Sequence, residues 1–127
     1  MSAPRSAPPG EPVAPSAAFD ADCVAYAVSG RSLYGLGRCR SNSAWLAMFW
    51  LLRRAGHIAD QLDPPAAAPV RAWMSDGWEH ARALLRLAGH ETYTYTICDG
   101  DVRYVLAVAP VVFVRRDADQ EATCAAA

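Results

Sequence analysis

Lysine is absent from this 127-residue chain; all twelve basic side chains are arginine. Set against thirteen Asp and Glu, they leave a formal net charge of -1. That balance lacks the basic excess of a whole-chain nucleic-acid or membrane-surface binder, so neither partner is expected. Long apolar runs are missing too. The longest, Ala44 to Leu52, is nine residues, whereas a bilayer span needs roughly 20. The four cysteines, Cys23, Cys39, Cys98 and Cys124, show no CxxC or Cys/His spacing, so no metal or cofactor is expected. The opening segment has five prolines before residue 19 and no apolar core. It does not read as a secretory signal, and a cytoplasmic location with free thiols is the expectation.

What is present is 53% hydrophobic and 20% charged, the profile of one globular domain. Arginine without lysine, with abundant Ala and Pro, suits a bacterial-like, GC-rich coding sequence. Residues 1–18 read as a disordered Pro/Ala-rich lead, 19–116 as the domain, and 117–127 as a flexible tail.

Within the domain, Cys23 to Val28 alternates, with small Cys23, Ala25 and Ala27 on one face, where a helix can lie close. A glycine-rich loop, Gly30 to Arg40, follows. A first helix is predicted from Ser43 to Ala55, stopped by Gly56. It has no polar face before Arg53, so one side should need cover from outside a thin domain. Asp63 to Pro69 reads as a connector and Val70 to Met74 as a short turn. A second helix starts at the Asp76/Glu79 capping box, with Trp78, Ala81, Leu84, Leu85 and Ala88 as its core stripe. Thr92–Ile97 and Val102–Leu106 around Asp99-Gly100 form a hairpin that pairs Ile97 with Val102. Pro110 should end the ladder, leaving Val111 to Val114 as a short edge strand. The expected fold is α+β: a mostly antiparallel sheet of three to four strands, two helices on one face, order β-α-α-β-β.

Three functions suit these residues. The first is a small non-catalytic protein-binding module of the inhibitor, immunity or accessory-subunit type, homodimeric through the first helix. Trp45 and Trp78 are assigned to the core, and Trp50 and Trp73 to a partner-facing patch. The second rests on Cys39, between Arg38 and Arg40 before a helix, with His90 opening a later strand. A positive setting and a helix N-terminus favour a thiolate. The order Cys, helix, His, strand resembles that of papain-like and NlpC-type cysteine hydrolases, and implies a hydrolase or acyltransferase with Cys39 as nucleophile and His90 as base. The hairpin register departs from that pattern by placing Ala109 opposite His90, where an orienting polar residue belongs. The third is a phosphate or carboxylate ligand held by the Gly30–Arg40 loop, through Arg31, Arg38 and Arg40 with Gly35 and Gly37.

Overall fold

In a computed structural model of the protein, residues 16–113 are described. The elements in chain order are β1 (Ser16–Ala27), β2 (Leu33–Ser41), α1 (Ala44–Ala59), α2 (Pro64–Met74), α3 (Gly77–Ala88), β3 (Tyr93–Asp99) and β4 (Val102–Phe113). The strands form one antiparallel sheet in the order β2-β1-β4-β3, and three helices pack against it, giving an α+β fold. No described helix is long and apolar enough to cross a membrane. The expected tail and Cys124 lie outside the described residues, as does the expected lead, except that β1 already begins at Ser16.

Small residues decide how close the helices come. Ala21, Cys23 and Ala25 on β1 are all buried beneath them, while Asp20, Asp22, Val24 and Tyr26 take the opposite face. Without bulk on that row, Ala47, Met48, Leu51 and Ala55 of α1 sink onto the sheet and become fully buried. The row continues across the neighbouring strands: Cys39 pairs with Ala21, Ala21 with Val108, and Val108 with Tyr93.

The helical layer differs from expectation in two places. α1 runs through Gly56 to Ala59, because Gly56 is not left-handed; its missing Cβ instead admits Met74, whose Cε would stand 3.1 Å from one. The predicted connector is itself a helix, α2, with Pro64 and Pro65 in its first turn, where proline costs nothing. α3 starts as expected, with the Asp76 carboxylate accepting from the Glu79 amide at 3.1 Å.

The hairpin keeps its faces but not its pairing. Its turn is centred on Gly100-Asp101, with Gly100 at φ 57°, so Asp99 pairs with Val102 and Ile97 with Tyr104. Gly at the first central position and a non-glycine at the second suit a type II′ turn, whereas a turn centred on Asp99-Gly100 suits type I′. A two-residue slip preserves side-chain alternation, so Tyr93, Tyr95 and Ile97 still face the helices. Pro110 does not end β4. It pairs with Phe19 on β1, beyond the point where β3 stops at Tyr93, so β4 has a neighbour on one side only.

A polar chain ties the layers together. The Trp73 indole donates to the Tyr93 hydroxyl at 2.9 Å, and that hydroxyl donates to Glu79 at 2.9 Å. Burial pushes the Tyr93 phenol up to about 12 and the Cys23 thiol up to about 11, from ordinary values of 10.0 and 9.0. Both groups are held neutral in the fold and ionise sooner in the unfolded chain. Their contribution to stability is therefore fully present below pH 9 and is lost as pH rises towards about 12. We expect the urea midpoint to drop across this window, with Cys23→Ala removing its lower part. An unchanged midpoint up to pH 11 would contradict the assignment.

Candidate functional site

The Gly30–Arg40 segment is mostly a strand, not a loop leading into a helix. Its alternation is broken by a bulge: Asp22 pairs with Arg38 but Val24 with Gly35, so two residues face one. Gly37, in the extra space, has φ 123°. The phase change lets Tyr34 and Leu36 face the helices on one side of the bulge and Cys39 and Ser41 on the other. Arg38 and Arg40 therefore point to the opposite face. There Arg40 forms a two-pronged pair with Asp20, its Nη2 at 2.9 Å from the carboxylate, and Arg38 lies by Asp22. Arg31 sits in the β1–β2 turn, Gly35 has open space around it, and Ser43 caps α1. The five residues expected to cradle an anion are thus not brought to one point.

The same strand does build a pocket, with residues that the loop reading left out. Ala25 pairs with Tyr34 on one side and Tyr104 on the other. Two strand spacings separate the tyrosines, roughly 10 Å, with only a methyl group between them. The C-terminal half of α1 closes this slot with Arg54, His57 and Ile58, and Gln61 follows, enclosing about 400 Å³. That volume lies within the range of small-molecule sites. Arg54 stacks on Trp50, its guanidinium carbon 5.1 Å from the ring centroid, and its buried Nε has no acceptor among the described residues. Among the described residues no carboxylate lines the pocket.

Cys39 and His90 lie toward opposite sides of the sheet. Cys39 is on edge strand β2, and His90 precedes edge strand β3, three residues before Tyr93. The cross-sheet row from Cys39 to Tyr93 spans three strand spacings, roughly 14 Å, where a nucleophile–base pair needs about 3 Å. Cys39 is disulfide-bonded, against the expectation of free thiols, whereas Cys23 and Cys98 are free. Ala109 pairs with Asp20, not with His90. His90 has a backbone role: at φ 65° it is the left-handed residue after α3, with its amide bonded to Leu87 and that of Glu91 to Arg86. Glycine would hold this conformation without the Cβ penalty. We expect His90→Gly to stabilise the fold by about 1 kcal/mol, read from thermal or urea unfolding; a loss of stability would show a side-chain role instead.

The tryptophan assignments are reversed. Trp50 and Trp73, expected at a partner surface, are buried, the first under Arg54 and the second stacked on Tyr95 at 4.1 Å. Trp45 and Trp78, expected in the core, are 54% and 80% exposed. Phe49 and Leu85 are exposed as well, Phe49 stacking beside Trp45. On α3 the core takes His80, Ala83 and Leu87, leaving the Trp78–Ala81–Leu85 side outward. Among the described residues no group of His, Cys, Asp or Glu could hold a metal ion. Comparison with known protein families, characterised proteins and solved structures yields no match.

Proposed function

We propose that this is a small binding domain without a catalytic role, acting through protein contact made by the outer face of its helical layer. The observation that carries this reading is the uncovered apolar surface of α1 and α3. α1 buries an arc centred on Met48, Leu51 and Ala55, and its opposite side presents Trp45 and Phe49. The apolar arc of α3 is about twice as wide as the part its own chain covers, and its free half carries Trp78 and Leu85. At the sizes of such side chains, roughly 500 Å² of apolar surface is left to water, against about 800 Å² per partner in a standard interface.

The occupant favoured is a second copy of the chain. Trp45, Phe49, Ala81 and Leu85 carry no charge. The exposed arginines Arg53 and Arg82 lie one turn beyond Phe49 and Trp78, Arg82 paired with Glu79, so the apolar centres of two identical faces can meet in a two-fold contact. Inhibitor, immunity and accessory-subunit roles are forms that such contact takes. Sedimentation velocity over a wide concentration range tests it. A reversible dimer is expected, and Trp45→Ser with Trp78→Ser should return it to monomer with little loss of stability, since both side chains lie outside the core. A monomer at every concentration would overturn the dimer.

A further inference from the structure

We propose that the slot between Tyr34 and Tyr104 is a binding site for a planar aromatic carboxylate. The inference is independent of the self-association above, because it rests on the gap between α1 and the sheet rather than on the outer face of the helices.

Shape comes from the strand row. Tyr34, Ala25 and Tyr104 lie side by side on three adjacent strands, so two rings flank a floor reduced to one methyl group. Walls roughly 10 Å apart at the backbone leave room for a flat group against their faces, and Ile58 adds an apolar surface from α1. A flat, unsaturated body is what such a slot selects.

Charge comes from Arg54. Its guanidinium is already ordered, stacked on Trp50, with an Nε that has no acceptor among the described residues. Gly37 makes this placement feasible, since a Cβ there would stand 2.9 Å from Nη2. Among the described residues no acid lines the pocket to neutralise the cation, and Gln61 supplies a neutral donor and acceptor at the rim. The number of charges is also set. Arg54 and His57 belong to the last turns of α1, where the helix dipole is negative and opposes a multiply charged anion. A single carboxylate on Arg54 meets that constraint; a phosphate dianion, best held at the opposite end of a helix, does not.

Titration of the full chain with indole-3-carboxylate, followed by calorimetry and by NMR of the tyrosine rings, tests the site. Indole-3-carboxamide serves as the uncharged isostere and inorganic phosphate as the charge-only control. The acid should bind at least tenfold more tightly than the amide, and phosphate should neither bind there nor displace it. Arg54→Gln should reduce the acid to the affinity of the amide. Tyr34→Ala should weaken acid and amide alike by several-fold; Tyr34 is 61% exposed on an edge strand, so this variant should keep the fold. The dimer-breaking Trp45→Ser/Trp78→Ser variant should bind the acid unchanged. Equal affinity for acid and amide, no effect of Tyr34→Ala, or displacement by phosphate would each overturn the proposal, as would failure of the acid to bind at millimolar concentration.

Discussion

Replacing Trp73 with alanine should lower the unfolding free energy by about 3–5 kcal/mol, the cost of removing a large buried aromatic without collapse of its site. Trp73 joins α2 to the rest of the molecule in three ways. Its ring stacks on Tyr95 with an interplanar angle of 4°, meets His80 edge-on at 5.3 Å, and donates its indole N–H to Tyr93. α2 has little else, since Ala67 and Val70 are its only other buried residues among those described. Loss of the indole therefore leaves a cavity between α2 and β3 and releases the helix. Trp73→Phe separates the contributions: it retains most of the packing but leaves the Tyr93 hydroxyl without its donor, and should cost about 1–2 kcal/mol. Urea unfolding with hydrogen exchange on α2 measures both. A loss below 1 kcal/mol for Trp73→Ala would mean that α2 is not anchored by this residue.

The residues around Trp73 also show what periodicity can and cannot reveal. Trp45 and Trp50 are five residues apart on one helix, which is 140° of rotation, so they cannot share a face. The sequence makes that separation plain but not which of the two faces the sheet. α1 is apolar all round over its first nine residues, and a helix without a polar face carries no phase signal. The sheet supplied it, through the small side chains of Ala21, Cys23 and Ala25, which set where α1 could come close. The same ambiguity recurs on α3. Its apolar arc is wide enough to hold two faces, and the core took the one with His80, Ala83 and Leu87. His80 carries no such signal in the sequence, since a histidine beside Glu79 suits a wet face as well as a buried one, and it is the edge-on packing against Trp73 that places it in the core.

Where a pattern had only one reading, it was legible. The small face of β1, the Asp76 cap and the alternating hairpin all required a local rule and nothing more. The hairpin register slipped because Asp-Gly and Gly-Asp turns differ by one residue in where the glycine sits, and the sequence Asp99-Gly100-Asp101 contains both. The candidate pocket was half visible. The stretch from Cys23 to Ala59 holds five arginines and no acid, but the arginines nearest in sequence turned to the other face and met Asp20 and Asp22. Arg54, fourteen residues after Arg40, was the one that reached the slot. A bulge is the reason. Gly37 breaks the alternation of β2, so a strand that contacts the core on both sides of it looks like a loop.

Gly37→Ala should cost about 2–4 kcal/mol, combining a backbone conformation that side chains rarely adopt with overpacking against α1. At φ 123° the residue lies where glycine alone is at ease, and a Cβ would stand 2.9 Å from Arg54 Nη2 and 3.2 Å from the Trp50 ring. The guanidinium end of Arg54 can swing aside only by giving up its stack on Trp50, and the Trp50 ring must give by a few tenths of an ångström. Trp50 is buried, so relief comes from displacing Arg54 from it or from flattening the bulge that holds φ at 123°. Flattening would reverse the facing of every residue on one side of position 37, taking Tyr34 and Leu36 away from the helices or Cys39 and Ser41 out of the core. Gly35→Ala is the internal control. Gly35 has a normal φ and nothing within 4 Å of a Cβ, so alanine there should be neutral or stabilising by up to about 1 kcal/mol. The two variants differ by two positions on one strand, which makes their unfolding midpoints directly comparable. If both shift alike, Gly37 is not the hinge on which the strand changes phase. If only Gly37→Ala destabilises, and aromatic carboxylate binding falls with it while Gly35→Ala keeps both, then the bulge that obscured this strand in the sequence is also what sets Arg54 over the slot.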